Sequence, residues 1–560
     1  MLGTASIALL ALATTQVTKP VMTTLIEQYS ADAGSLQRFY NVEVSRDRVT
    51  RFRAFYKENQ TKLEAVKFDG LSQGEKVDYL LFRNLLDRSL AKLDAFEKQI
   101  DESKPYIPFF ETLIELAQDQ RKSGTLDPAV AASTLSAIET GLPALRKQWE
   151  GNPKADKFSA FRAARFNDQL LRNLAEWYRF YNQYDPQFGW WVSEPYNRTS
   201  RALAEYSTFL REKVCGLKPG DTSPIVGDPI GKEALLNELK YEMIPYSPEE
   251  LIEIANKEYA WCEAEMKKAS REMGFGDDWK KALEAVKADY VKPGEQPDLI
   301  RDMAEEAIKY VEDNDLMTVP PLAKETWRMT MMSREQQKVS PFFLGGEMIM
   351  VSFPTAEMEH QEKLMSLRAN NKHFARATVH HELIPGHHLQ QFYQARVHLQ
   401  RDAFGTPFWH EGYALYYEFL FWQMGFPKTP QNKVGMLFWR MHRCARIIFS
   451  LSFHLGRMTS DECIQLLVDK VGHERASAEG EVRRSFGGAY SPLYQISYMI
   501  GALQLWQLRK EVVDTGKMPA KAFHDQIFKE NSMPIEMIRA LVTNQPLSKD
   551  FKSTWKFYPK

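Results

Sequence analysis

Residues 380–388 read His-His-Glu-Leu-Ile-Pro-Gly-His-His, and Trp-His-Glu-Gly-Tyr-Ala-Leu-Tyr-Tyr-Glu follows at residues 409–418. The first stretch holds four of the chain's 12 histidines, next to a glutamate. Catalytic zinc is typically bound by histidine and carboxylate side chains, and a nearby carboxylate often serves as the base. The two stretches therefore predict a Zn²⁺ site with a hydrolytic function. The alternative is a buried polar cluster without a metal.

The spacing of the histidines predicts a break in the helix that carries them. His381 and His387 are six residues apart, which on a straight helix means a rise of about 9 Å and opposite faces. Pro385 has no N–H to bond the carbonyl of His381, and Gly386 permits backbone angles that other residues avoid. We therefore expect a distortion that returns both histidines to one ion, while His388 points elsewhere, toward supporting or substrate contacts.

Composition excludes several classes of protein. The chain has 560 residues and a formal net charge of −1, with Lys and Arg scattered along it, so nucleic-acid partners are not expected. Its four cysteines include no CxxC pair, so a thiolate zinc site is not indicated. Beyond the N-terminus no apolar run approaches the ~20 residues that a membrane span requires. The oligomeric state stays open.

Residues 1–18 resemble a signal peptide. Ala5–Thr15 is an apolar run of suitable length, although no Lys or Arg precedes it. This segment favours a secreted or periplasmic protein, and the alternative is a buried N-terminal helix in a cytoplasmic one.

The rest of the chain is predicted to be mainly helical. Apolar residues recur at three- and four-residue spacing over long segments, and Gly and Pro separate these segments. One strand is expected at Glu347–Phe353, either a substrate-binding edge strand or an ordinary core strand. The clearest helices are Val77–Phe96, Ala129–Thr140, Phe161–Tyr184, Arg201–Val214 and Pro248–Met273.

Gly70-Leu-Ser-Gln-Gly74 matches the GxSxG pattern of serine hydrolases. That pattern requires a buried strand before the serine, whereas Thr61–Phe68 is charged and helix-like. Ser72 and Glu75 instead fit a helix capping box. The serine-hydrolase interpretation is therefore rejected.

Residues 380–390, HHELIPGHHLQ, resemble the HExxPGHH signature of domain of unknown function 885, a family grouped with the zincin metallopeptidases. Residues 411–418 resemble its EGWALYxE helix, and Pro492-x-x-Gln-x-x-Tyr-x-x-Gly501 is also similar. More distantly, the chain is similar to carboxypeptidase Taq and angiotensin-converting enzyme. The resemblance implies a mainly α, gluzincin-like fold with a small β-sheet beside the zinc helix and a deep substrate channel. Residues 19–340 would form the channel wall and residues 341–560 the catalytic part, as one compact unit.

The resemblance also implies roles for individual residues. His381, His387 and Glu411 would bind zinc, and Glu382 would act as the general base. Tyr498 is the candidate for stabilising the oxyanion. Tyr494, one helical turn earlier, is the competing choice for that role.

Further residues would support the site or contact substrate. Glu418 could orient a ligand histidine, and His380 and His410 each precede an active-site residue. Arg484 and Arg509 could bind a peptide carboxylate, with an ordinary ion pair as the alternative. Several gluzincins carry an acidic residue four positions after the third ligand, whereas this chain has Leu415 there.

Together the patterns predict a zinc metallopeptidase of carboxypeptidase or dipeptidase type that acts on short peptides. One alternative keeps the site but uses it on a non-peptide amide, an ester or an acyl transfer. A second alternative is an inactive binding protein on the same scaffold.

Overall fold

The structure is a computed structural model that describes residues 19–122, 126–217, 225–338, 340–488 and 490–559, the side chains of 119–122 excepted. The signal-like segment 1–18 lies outside these residues. The described chain is mainly helical, as predicted. Among its helices none is both long and apolar enough to cross a membrane.

The described ranges contain 23 α-helices. They are α1 Val21–Phe39, α2 Arg46–Glu64, α3 Gln73–Ser103, α4 Phe110–Lys122, α5 Pro128–Trp149, α6 Lys157–Asn182, α7 Pro186–Phe209, α8 Gly231–Tyr241, α9 Pro248–Glu272, α10 Trp279–Ala288, α11 Gln296–Asp313, α12 Pro321–Thr326, α13 Arg334–Gln337, α14 His360–Ala369, α15 Lys372–Glu382, α16 His387–Gln394, α17 Pro407–Gln423, α18 Pro430–His454, α19 Ser460–Leu466, α20 Arg475–Phe486, α21 Tyr494–Val512, α22 Ala520–Lys529 and α23 Ile535–Val542.

The five helices predicted from periodicity are confirmed, with α7 continuing through a π-helical turn at Leu210–Val214. The start of α3 also confirms the capping box. The Ser72 hydroxyl accepts a hydrogen bond from the backbone N–H of Glu75, and the Glu75 carboxylate accepts one from the backbone N–H of Ser72. Ser72 is thus a helix cap, and no strand precedes it among residues 19–71, as a nucleophile elbow would need.

A small sheet lies beside α15. Its two parallel strands are β1, Arg328–Met331, and β2, Met348–Val351. Ile349 and Val351 of β2 join a small apolar core with Val379 of α15. The sequence predicted β2 but not β1, whose four residues are largely exposed and so lack an apolar pattern.

β2 does not offer a free edge at its centre. Leu344 and Met350 exchange two backbone hydrogen bonds, of 3.1 and 2.7 Å, on the side of β2 away from β1. Of the two alternatives for this strand, an ordinary core strand is favoured over a substrate-binding edge strand at Met350, because the backbone groups of Met350 are already paired.

The main apolar core contains residues from most of the described chain. It runs from Met22 in α1 to Phe557 near the C-terminus, and α17, α18 and α21 cross it. A second core is formed by residues between Val42 and Leu210, largely from α4 to α7. The predicted site residues lie on helices of the first core.

α17 and α21 meet backbone to backbone. A β-carbon on Gly412 would lie 2.5 Å from Cα of Gly501, and one on Gly501 would lie 2.1 Å from the carbonyl oxygen of Phe408. Only glycine fits both positions. Gly501 therefore permits close packing of the two helices.

The predicted break between His381 and His387 is present. α15 ends at Glu382 and α16 begins at His387, with a cis peptide bond at Ile384–Pro385 between them. The backbone N–H of Gly386 donates to the carbonyl of His380, 3.0 Å away. A β-carbon on Gly386 would lie 1.8 Å from the carbonyl oxygen of His381, so this turn requires glycine.

Candidate metal centre

The break brings two histidines and a carboxylate together. The ring centroids of His381 and His387 are 4.9 Å apart. Oε2 of Glu411, from the first turns of α17, lies 3.5 Å from Nε2 of His381 and 3.3 Å from Nε2 of His387. Ligand atoms arranged tetrahedrally at ~2.1 Å from one zinc ion are ~3.4 Å from each other. These three side chains therefore fit a zinc ion.

Glu382 lies at the edge of this group. Its Oε2 is 4.0 Å from Nε2 of His387, and its potential ligand atom falls within 4.8 Å of those of both histidines. Glu411 lies closer to the histidines than Glu382 does. We therefore assign Glu411 to the candidate ligand set and leave Glu382 free to exchange protons. Burial raises the pKa of Glu382.

Each candidate ligand is oriented by a neighbour. Nδ1 of His381 lies 2.8 Å from Oε1 of Glu418, and Nδ1 of His387 lies 3.3 Å from Oε1 of Gln390. The Tyr494 hydroxyl donates a hydrogen bond to Oε1 of Glu411. Such contacts direct Nε2 of each histidine and the second carboxylate oxygen toward one point.

Oε2 of Glu411 is buried and has no hydrogen-bond partner in the described part of the chain. A buried carboxylate oxygen without a donor is costly unless a cation satisfies it. Burial would raise the pKa of Glu411, but the charge of His387 and the close approach of both histidine rings hold it well below the usual value. Burial lowers the pKa of His381, whereas Glu411 and Glu418 raise it, to about 9. The electrostatic environment of the site thus favours the binding of a cation.

The group opens into a cavity of about 210 Å³. Its lining includes Leu344, Gly345 and Met350 of the segment around β2, together with side chains of α18, α20 and α21. A β-carbon on Gly345 would lie 2.4 Å from Oε2 of Glu382 and 2.5 Å from its carbonyl oxygen. The segment before β2 therefore packs directly against the candidate base.

Tyr498 and Tyr494 both line the cavity but differ in their contacts. The Tyr494 hydroxyl is bound to Glu411. The Tyr498 ring stacks at 6.1 Å from the ring of His381, and burial raises the pKa of its hydroxyl well above the usual value. Tyr498 is therefore a neutral donor beside the candidate metal site, which favours it over Tyr494 for the oxyanion role.

Five of the predicted supporting residues do not line the cavity, although Glu418 contacts His381. They are His380, His388, His410, Glu418 and Arg509. Nδ1 of His380 lies 2.8 Å from the carbonyl oxygen of Arg376, and Nε2 of His388 lies 2.9 Å from that of Ala323. Burial lowers the pKa of His410 to about 4.

The structure does not bring Arg509 to the site, because it forms an ion pair of 2.6 Å with Asp514 at the far end of α21. Arg484, by contrast, does line the cavity.

Sequence reasoning missed Arg443 and Arg446 of α18, which also line the cavity, and Gln390, which orients His387. Arg440, Arg443 and Arg446 recur every three residues within residues 434–449 of α18, which are otherwise apolar except for His442. Such spacing places charged side chains near one buried face, and that pattern could have identified the two cavity arginines.

Comparisons with known proteins agree with the family resemblance. The family model described as "Bacterial protein of unknown function (DUF885)" matches residues 35–542. The sequence matches no curated protein. A solved structure of a candidate lipoprotein of unknown function from Shewanella oneidensis is 20% identical with a TM-score of 0.69, covering 94% of this chain and 100% of that one. A candidate lipoprotein from Colwellia psychrerythraea is 14% identical with a TM-score of 0.60, covering 93% and 98%. These two likenesses show a shared fold.

Proposed function

We propose that this chain, which belongs to the family of bacterial proteins of unknown function DUF885, is a zinc-dependent hydrolase that cleaves amide bonds of short peptides. One observation carries the proposal. A single oxygen of Glu411 lies 3.5 and 3.3 Å from the Nε2 atoms of two histidines, with Glu382 beside them in a cavity. Two ligand histidines, one ligand carboxylate and a free carboxylate are the groups that metal-assisted hydrolysis requires.

His381, His387 and Glu411 would hold the ion. When bound there, zinc supplies a Lewis acid that polarises the substrate carbonyl and lowers the pKa of water. Glu418 and Gln390 keep the Nδ1 atoms of the two histidines engaged, so that each histidine presents Nε2.

Glu382 moves the proton. Hydrolysis breaks the amide C–N bond, the hydroxyl of water joins the acyl carbon, and the proton of water passes through Glu382 to the leaving amine. Proton transfer by a positioned side chain is typically worth about 10²- to 10⁴-fold in rate. The Tyr498 hydroxyl donates to the carbonyl oxygen as negative charge develops on it.

The proposal extends to the fold, the location and the alternative substrates that the family resemblance implies. The fold would be gluzincin-like, similar to carboxypeptidase Taq and angiotensin-converting enzyme, with the cavity as the inner end of a substrate channel. Two structural neighbours are described as candidate lipoproteins, which favours a location in the cell envelope. Esters or non-peptide amides are the alternative substrates, since the same groups can act on them.

Metal analysis and one variant test the proposal. We expect about one zinc per chain after purification in zinc-containing buffer, and chelator-sensitive cleavage of a mixed pool of short peptides, read by mass spectrometry. Glu382→Gln should keep the zinc and lower the rate by at least about 10²-fold. A zinc-free protein after metal loading would rule the proposal out. A zinc protein that cleaves esters but no peptide would support the alternative.

A further inference from the structure

Three buried arginines line the same cavity as the candidate metal site. Arg443 and Arg446 come from α18 and Arg484 from α20, and their side chains are 5, 2 and 7% exposed. Guanidinium groups stay charged at all physiological pH values. Three buried positive charges in one small cavity require either acidic partners in the protein or an anionic ligand.

The protein supplies only part of the required negative charge. Glu481 pairs with two of the arginines, at 2.6 Å from Nε of Arg446 and 2.7 Å from Nη2 of Arg484. Arg443 lies 3.6 Å from Glu418, whose oxygen is already 2.8 Å from Nδ1 of His381. Two carboxylates therefore face three guanidinium groups, which leaves one positive charge in excess.

The arginines also keep unused donors. Nε of Arg443, Nη1 of Arg446 and Nε of Arg484 are buried without a hydrogen-bond partner in the described ranges. Leaving a buried charged donor unsatisfied is costly, so this cluster is arranged to receive an acceptor. A bound Zn²⁺ would be balanced by the charges of Glu411 and Glu382, so the excess charge would belong to the arginine side of the cavity.

We propose that Arg443, Arg446 and Arg484 bind the free C-terminal carboxylate of a short peptide, and that the enzyme removes residues from that end. This inference rests on the proposed function and names the substrate class for the same site. A carboxylate carries one negative charge and matches the excess, whereas a phosphate group carries about −1.5 to −2 near pH 7. Arginine also binds carboxylates through paired N–H groups.

The distance from the arginines to the metal site limits how far from the end the peptide is cut. The guanidinium carbon of Arg446 lies 4.2 Å from the centroid of the Tyr498 ring, which lies 6.1 Å from that of His381. Arg446 is therefore within about 10 Å of the His381 ring. An extended peptide covers roughly 3.5 Å per residue, so at most three residues separate the scissile bond from the carboxylate. The cavity of about 210 Å³ is also below the ~300 Å³ of an ordinary ligand pocket, which suits a peptide end.

Binding to the zinc-loaded Glu382→Gln protein tests this without relying on turnover. The probes are an N-acetylated alanine tripeptide with a free C-terminus and its C-terminal amide, measured by calorimetry. We expect the acid to bind about 10- to 100-fold more tightly than the amide, because a hydrogen bond to a charged group contributes on that scale. Adding Arg484→Gln or Arg443→Gln should reduce this ratio to less than about threefold.

Two comparisons make the result specific. Arg443 has the loosest ion pair of the three, so Arg443→Gln is the variant that disturbs folding least. Arg509→Gln removes an arginine outside the cavity and should leave the ratio unchanged.

Equal binding of acid and amide, absence of binding by both, or a ratio that survives the cavity substitutions would overturn the inference. Inorganic phosphate binding more tightly than the acid would also overturn it. Preferential binding of the acid in a protein whose wild type hydrolyses nothing would refute the proposed function alone.

Discussion

Glu418 follows Glu411 by seven residues on α17, and its Oε1 lies 2.8 Å from Nδ1 of His381 while Oε2 of Glu411 lies 3.5 Å from Nε2 of the same ring. Seven residues are about two helical turns, so both carboxylates share one face of the helix. α17 therefore contacts both nitrogens of one histidine, and the helix that supplies a candidate ligand also sets the orientation of another.

Glu418→Gln should weaken zinc binding about 10- to 100-fold, because the carboxylate that keeps Nδ1 protonated and fixes the ring is replaced by a neutral amide. Competition with a chelator of known affinity measures this. Glu242→Gln is the control, since Glu242 is also buried but bonds to Arg88 and Thr406 outside the cavity. An unchanged zinc affinity in Glu418→Gln would show that Glu418 has no role in orienting His381.

Tyr498→Phe and Tyr494→Phe should have different effects. Loss of the Tyr498 hydroxyl should lower kcat about 10²- to 10³-fold and leave zinc binding intact, since it removes the proposed oxyanion donor. Loss of the Tyr494 hydroxyl frees Oε1 of Glu411 and should mainly weaken zinc binding. Zinc content and steady-state kinetics on both variants decide the assignment, and a reversed pattern would make Tyr494 the oxyanion donor.

Gly345→Ala should lower kcat by roughly 10²-fold, because its β-carbon would meet Oε2 of Glu382 at 2.4 Å and a displacement of about 1 Å at a catalytic group has that effect. Zinc content should change little. Gly70→Ala is the control, since a β-carbon there meets no atom within 4 Å. Full activity in Gly345→Ala would mean that Glu382 is not the base.

Gly412→Ala should destabilise the fold by about 1–3 kcal/mol, as overpacking of a tight helix contact does. Its β-carbon would lie 2.5 Å from Cα of Gly501, so α17 and α21 must move apart. Gly141→Ala, in the interior of α5 with nothing within 4 Å of the new carbon, should instead stabilise by up to about 1 kcal/mol. Urea unfolding midpoints of the two variants provide the comparison.

Glu306→Gln should lower stability at neutral pH and reduce the loss of stability that occurs as the pH falls. Hydrogen bonds from Arg376 of α15 lower the pKa of Glu306 to about 2. Because this pKa is depressed on folding, the stabilisation is complete above the unfolded pKa of roughly 4.3 and is lost as pH falls toward 2. Since Glu306 is 33% exposed, we expect about 1–2 kcal/mol at pH 7 rather than the ~3–5 of a fully buried pair. Thermal unfolding between pH 7 and pH 3 should show the stabilities of the wild type and Glu306→Gln converging as the pH falls. A stability difference that does not depend on pH would contradict the ion pair.

The sequence predicted what depends on local pattern. The helices followed from apolar periodicity, and the break between His381 and His387 followed from Pro385 and Gly386. It did not predict β1, whose short exposed strand has no apolar pattern, nor the identity of the residues that complete the cavity. Arg443 and Arg446 reach the candidate metal site only through the packing of α18 against α15 and α21, and no local rule specifies that packing.

The segment before β2 has a consequence for how this family can vary. Nδ1 of His388 lies 3.3 Å from the carbonyl oxygen of Gly346, while Gly345 touches the candidate base. Position 345 contributes no functional group, yet any side chain there would displace Glu382. In a library of random single substitutions we expect this glycine to tolerate as little change as a metal ligand. A search for essential residues based on chemistry alone would overlook it.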